Sequence, residues 1–416
     1  MPSPDLLLPA TLRQELKPMS VPILISGWGV ICALGVGPEA VWTALRQGKS
    51  GLREITGFDP EPYRSQLAGE VLDFAATDWL LTPKTYLDPA TAFTLAAGRM
   101  ALEGAGFDLP LAGGEQFGIV LGTAYGCLPT MYEYWLRAQA RGIKFASSLL
   151  FSHSLANTPT SLAAIEYNLR GHHTTVTAGL VSSGQAVVNA VLALRDGRAD
   201  AILAGGVEVL SEPLFAGLQP YLSPLDDGPE GCRPFAPTAN GTVLGEGTAL
   251  LILERMDRAQ HRGLSPAVEV RGVFQSSFPL GLDGHRDSLP EVKATIQAAL
   301  ADANLTVGEV EAVIAGANGH PTLDAVLAAA LRELVGDRVP VTAPKALWGE
   351  AWGAGDALNL IAALCALHTG WLPPTPDANS EELDLVTEPR PWSGRTVLVV
   401  GLDFSGAVIA VLLCAA

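Results

Sequence analysis

Apolar runs that end in glycine recur along this chain, separated by segments whose apolar positions return every three to four residues. VPILISGWGVICALG (21–35) reads as an apolar strand entering a glycine-rich turn, and PEAVWTALRQGKSG (38–51) follows with helical spacing. FGIVLGTAYG (117–126) and ADAILAGGVEVL (199–210) read as buried strands leading into glycine turns, and GTALLILERM (247–256), preceded by VLGEG, as another strand. EAVIAGANG (311–319) and TVLVVGLDFSGAVIAVLL (396–413) continue the series near the C-terminus. SGQAVVNAVLALRDGRA (183–199) and LPEVKATIQAALADANL (289–305) are amphipathic segments between strands. This alternation predicts an α/β protein in layers, with helices on both faces of its sheets. Glycines at strand ends allow sharp turns, and ligands of open α/β sheets gather at such ends. A polar stretch, RMDRAQHRGLS (255–265), marks a junction between an N-terminal half (21–257) and a C-terminal half (258–416). A short disordered leader is expected over residues 1–20. No short-period repeat is visible, which excludes a solenoid.

Composition narrows the class. Hydrophobic residues make up 48% of the 416 positions and charged residues 17%, with 44 glycines and 30 prolines, which suits a compact α/β protein rich in turns and excludes a disordered chain. A formal net charge of -17, with no lysine or arginine cluster to reverse it locally, argues against nucleic acid or anionic lipid as partners. An acidic protein partner would need a basic patch here or on a neighbouring subunit. The five cysteines (Cys32, Cys127, Cys232, Cys365 and Cys414) are widely spaced, with no CxxC pair and no clustered histidines, so neither a disulfide scaffold nor a metal site is expected. The first residues carry no basic stretch followed by a long apolar one, and no charge-free apolar run reaches membrane-spanning length; a cytoplasmic protein without membrane contact is expected.

Six segments, in order, resemble the β-ketoacyl synthases of fatty-acid and type II polyketide assembly: ISGWGVICALG, SLANTPTSLAAIEYNLRG, GRADAILAGGVE, RPFAPTANGTVLGEGTALLILE, PKALWGEAWGAGDAL and DFSG. The resemblance spans the chain from Val21 to the C-terminus and implies a thiolase-like fold, two related α/β halves in an α-β-α-β-α arrangement. It also implies a decarboxylative condensation in which a cysteine thiolate carries the acyl chain and two histidines stabilise developing oxygen charge. A thiolate gains from a helix N-terminus, and the histidines work as hydrogen-bond donors in a dry pocket.

None of these roles is filled. Between Leu169-Arg170-Gly171 and Gly205-Gly206 the family pattern fits without a gap, and the nucleophile falls on Leu180, which cannot form a thioester. Ser182 and Ser183 are conceivable substitutes, though hydroxyls at a helix N-terminus usually cap it. The first histidine falls on Ala317 in a segment shortened by one residue, with His320 as a displaced alternative. The second falls on Glu350, five residues after Lys345; an ion pair between them is the expected role, with a catalytic base as the alternative. Trp348 and Trp352 read as packing that fills space a working enzyme leaves for substrate. Phe404 keeps the aromatic gate position, in Asp403-Phe404-Ser405-Gly406 where the family has a glycine-rich loop.

A family member with all three positions replaced resembles the chain-length factor, which pairs with an active ketosynthase in a heterodimer and limits the acyl tunnel. Carried over by position, the tunnel-limiting residues are Leu128, Met131 and Trp135, whose spacing of three and four shares one helical face; an ordinary core face has the same spacing. No cofactor is expected to bind directly, and the expected partners are the active ketosynthase and a phosphopantetheinylated acyl carrier protein. Leucine at 180 together with Gly349-Glu350 looks closer to polyene and aryl-polyene systems than to aromatic ones. Competing expectations are an independent condensing or acyl-transfer enzyme with a rearranged site, and a homodimeric acyl-chain binder.

Overall fold

The computed structural model describes residues 21–265, 267–278 and 288–416; the leader expected over residues 1–20 lies outside them. Twelve strands form one hydrogen-bonded sheet. In chain order they are β1 (Ile23–Cys32), β2 (Gly35–Val36), β3 (Phe117–Gly122), β4 (His173–Val176), β5 (Ala201–Glu208), β6 (Gly247–Arg255), β7 (Val268–Ser277), β8 (Ala312–Ala315), β9 (Pro340–Thr342), β10 (Asp384–Leu385), β11 (Thr396–Leu402) and β12 (Ala407–Ala415).

The strand order contains the same arrangement twice. The N-terminal half runs β4-β3-β5-β6-β1 and the C-terminal half β9-β8-β11-β12-β7, with β10 added beyond β9. In each half the first two pairings are parallel and the next two antiparallel. The halves meet where β1 pairs antiparallel with β7, Ile23 opposite Val270 and Ile25 opposite Val268.

Helix packing repeats as well. Helix α1 (Pro89–Gly104) lies on β1 and β6, while α4 (Leu289–Ala303) takes the corresponding place on β7 and β12. Both sit unusually close to their sheets, and glycine is the reason. A Cβ at Gly29 of β1 would lie 2.0 Å from the Ala97 carbonyl oxygen, and one at Gly272 of β7 would lie 2.4 Å from that of Ala299. No side chain fits either gap, so the same small-residue device seats the outer helix in both halves.

Two helices lie between the halves. These are α3 (Ser182–Arg195) and α6 (Gly355–Thr369), and α3 touches β3 and β5 of one half and β7 and β12 of the other. Twelve of the fifteen residues of α6 are buried, as expected of a helix covered on all sides. Their apolar residues share a single core cluster with strands of both halves. The start of α3 is therefore deep in the protein, beside the turns that end the strands.

Two further elements matter for the site. Helix α2 (Leu128–Arg141) follows β3, and α5 (Pro321–Leu334) follows β8. Strand β7 had no counterpart in the hydrophobic pattern. Its Glu269, Arg271, Gln275, Ser276 and Ser277 break the apolar run, yet pairing with β12 along its length and with β1 at its start holds it in the sheet.

Candidate functional site

The chain leaves edge strand β4, turns at Gly179 with φ 60°, and makes a short 3-10 turn over Gly179–Val181 before α3 begins at Ser182. Leu180 sits in that turn at 1% exposure. It belongs to an apolar core cluster that also holds Ala317 and Trp352, and against that cluster pack Ala124, Tyr125, Leu128 and Phe404. Trp352 adopts φ 42°, a left-handed backbone that bulky residues avoid, and its ring lies 6.0 Å from that of Tyr125. Leu180 and Trp352 thus fill the space at the nucleophile turn, whereas Trp348 packs in the other cluster, between the halves.

Neither serine is positioned as a nucleophile, and neither caps α3. Ser182 Oγ accepts the Ala178 amide at 2.8 Å and donates to the Gly179 carbonyl at 2.7 Å, bracing the turn. Ser183 Oγ accepts the Ala357 amide at 3.0 Å, tying α3 to α6. The N-cap of α3 is Val181, so the capping role expected for these hydroxyls is corrected to bracing between elements. Both serines are fully buried, with their hydroxyls held in these hydrogen bonds.

Lys345, Glu350 and Asn318 form a buried polar knot. A short helix, Lys345–Trp348, ends at Gly349 with φ 83°, and that turn brings Glu350 back toward Lys345. Lys345 Nζ lies 2.7 Å from Glu350 Oε2, and Asn318 Nδ2 donates to the same oxygen at 2.8 Å. Ala317 belongs to the apolar cluster instead. Asn318 is thus the polar residue that the loop after β8 delivers to Glu350, and sequence reasoning had passed over it; the shortened loop concealed the one-residue offset. Asp324 holds this loop by accepting the amides of Phe235, Asn318 and Gly319.

His320 lies at the start of α5, with its ring 4.9 Å from Phe404 and 6.3 Å from Tyr221. It belongs to the aromatic group around the gate position rather than to the knot of Lys345 and Glu350. Phe404 lies tilted against Tyr221, with ring centroids 4.9 Å apart.

Buried carboxylates outnumber Lys345 here. Burial alone would lower the Lys345 pKa, but Glu350 and Asp356 beside it hold the ammonium above its ordinary value. Burial pushes Asp356 up to about 7, Glu208 to about 8 and Glu246 to about 7. Each binds its proton more tightly in the folded chain than unfolded, so the folded state carries extra protons below these values and stability falls as pH rises through them. Raising the pH from 7 to 8.5 is expected to lower the unfolding free energy by on the order of 2 kcal/mol. Thermal unfolding in two buffers checks this, and a melting temperature that holds or climbs at the higher pH would contradict it. His172 and His173, whose pKa values burial lowers, act in the opposite direction, but only toward acid, below this window.

Helix α2 is not a core helix of this chain. Only Thr130 of its residues is fully buried; Leu128 is half-buried, and Met131 and Trp135 are 44% and 51% exposed. Exposed apolar side chains continue through Ile143, Phe145, Leu149 and Phe151. No helix among the described residues is long and apolar enough to cross a membrane, and no group of three or more histidine, cysteine, aspartate or glutamate side chains among them could hold a metal.

Two repeated halves around a pair of buried helices define a thiolase-like ketosynthase fold. The chain belongs to the β-ketoacyl synthase family: residues 20–259 match the β-ketoacyl synthase N-terminal domain and residues 281–379 the C-terminal domain. It is 33% identical to the tetracenomycin polyketide synthase ketoacyl synthase alpha subunit of Streptomyces glaucescens, over 92% of this chain and 95% of that protein. The beta subunit from the same organism is 31% identical, over 92% of this chain and 96% of that protein. Among solved structures, the ishigamide ketosynthase/chain length factor superposes with a TM-score of 0.87 at 28% identity, covering 95% of this chain and 100% of that one.

Proposed function

We propose that this chain is a non-catalytic chain-length factor that pairs with an active ketosynthase in the cytoplasm and shapes the acyl tunnel during type II polyketide elongation. The observation that carries the reading is Leu180, sealed at 1% exposure where the resemblance puts the thiolate, with the Ser182 and Ser183 hydroxyls engaged in bracing hydrogen bonds. Overall identity does not separate the two subunit types, since the alpha and beta relatives stand at 33% and 31%. Leucine at position 180 supports the non-catalytic type.

The partner is an active ketosynthase, seated on the apolar surface of α2 and the segment after it. Exposure of Phe145 at 75% and Ile143 at 71% in one short stretch is costly in water and suits an obligate interface. Edge strand β4, which among the described residues pairs with β3 alone, offers backbone groups for pairing beside the nucleophile turn. The acyl chain arrives on a phosphopantetheinylated carrier protein and is held by the partner's cysteine. Leucine at 180 with Gly349-Glu350 supports a pathway of the polyene kind, in which the chain is reduced at each cycle.

Co-expression with the ketosynthase from the same gene cluster is expected to yield a heterodimer, and Phe145→Asp to reduce its recovery at least tenfold. Acyl label from a loaded carrier protein is expected on the partner alone. Covalent label on this chain would overturn the reading, as would persistent homodimers in the partner's presence.

A further inference from the structure

The hairpin turn between β11 and β12 carries a carboxylate into the nucleophile turn. Asp403 is 6% exposed, and its Oδ2 accepts the backbone amide of Leu180 at 2.7 Å. Its Oδ1 accepts the Ser405 amide at 2.7 Å, while its own amide donates to the Ala407 carbonyl and its carbonyl accepts the Gly406 amide. The turn is therefore bonded at both ends, to itself and to the start of α3. Contact with the nucleophile turn is tight enough to require glycine: a Cβ at Gly179 would lie 2.2 Å from Asp403 Oδ2.

The amide of Leu180 lies where the first turn before α3 presents unpaired N–H groups and the positive end of the helix dipole. Such a place stabilises negative oxygen. In a chain that formed a thioester at this position, the same N–H would be a donor for negative charge developing on the acyl carbonyl oxygen, because the thioester sulfur and the N–H belong to one residue. Here an internal carboxylate already holds it.

We propose that Asp403 is a resident anion occupying the charge-stabilising position of the nucleophile turn, so that this chain is closed to acyl thioesters by the Leu180–Asp403 pair and not by the missing thiol alone. The proposal rests on the reading of Leu180 as the former nucleophile position. Leucine and aspartate suit each other there. A thiolate at 180 would share its small buried volume with the Asp403 carboxylate and compete with it for one N–H. Other charged groups nearby offer little relief: Asp356 and Glu208 are negative when ionised, and Lys345 is engaged by Glu350. Phe404, next in the chain, is held with Tyr221 and His320 over the same turn, so the anchor on Asp403 also fixes the gate.

The test compares the full-length variants Leu180→Cys, Leu180→Cys/Asp403→Asn and Leu180→Cys/Asp403→Gly. Alkylation of the introduced thiol by iodoacetamide is followed against pH, with peptide mass spectrometry to separate it from the five native cysteines. The single variant is expected to show a high apparent thiol pKa and slow reaction at pH 7. Both double variants should show a pKa lower by about one unit and a rate about tenfold faster. Equal profiles in single and double variants, or an unreactive thiol in all three, would overturn the proposal. A second measurement reads the contact with Leu180 in place. Hydrogen exchange at the Leu180 amide should quicken at least about tenfold in Asp403→Gly and stay slow in Asp403→Asn, whose side-chain oxygen can still accept; unchanged protection in the glycine variant would also overturn it. Failure of the chain-length-factor reading shows separately, as acyl label on the unaltered chain.

Discussion

Replacing Lys345 with methionine is expected to destabilise the fold by about 3–5 kcal/mol, the cost of leaving a buried charge without its partner. The ammonium is 2% exposed and stands 2.7 Å from a Glu350 carboxylate that is fully buried. Asp356 adds a second buried carboxyl in the same field, already pushed up to about 7. With Lys345 gone, Asn318 Nδ2 would still donate to Glu350. Glu350→Gln removes a charge but keeps an oxygen for Lys345 and Asn318, so its cost is expected to be about 1–2 kcal/mol. The double variant Lys345→Met/Glu350→Gln should be less destabilised than the two single losses together. Urea unfolding of the four proteins completes the cycle. A loss below 1 kcal/mol for Lys345→Met would show that water reaches the knot and that it is not a buried pair in solution.

Replacing Trp135 with alanine in the reconstituted heterodimer is expected to lengthen the main product by about one or two two-carbon units, since deleting side-chain atoms at a closed wall leaves a cavity. Met131→Ala should act in the same direction with a smaller effect. The test is clean because both side chains are about half exposed in this chain alone, so their removal should change its own melting temperature little. Chain lengths measured by mass spectrometry decide the matter. An unchanged distribution with normal heterodimer yield would remove Met131 and Trp135 from the tunnel and leave α2 as a docking helix only.

Much of the architecture was legible in the pattern of apolar positions. Strands β1, β3, β5, β6, β8, β11 and β12 fall inside the apolar runs read from the sequence, because buried strands need continuous apolar residues and glycine where they turn. Strand β7 was not legible. Its polar residues alternate irregularly, and backbone pairing with two neighbours, which no local pattern encodes, decides its state. Helix α2 shows the converse. Its apolar spacing suits a core face, but among the described residues Met131 and Trp135 stay about half exposed.

At the site, identity and placement divide in the same way. That Leu180 carries no nucleophilic atom and that position 350 is a carboxylate are properties of residue type, readable without coordinates. Residue type also makes Lys345 the obvious partner for a carboxylate five positions on. Which oxygen meets which N–H is a matter of distance across the fold. Asp403 reaches Leu180 over 223 residues of chain, Asn318 reaches Glu350 over 32, and Ser183 reaches Ala357 over 174. A hydrogen bond needs its atoms within about 3 Å, and only the packing of two halves around α3 and α6 brings these segments that close.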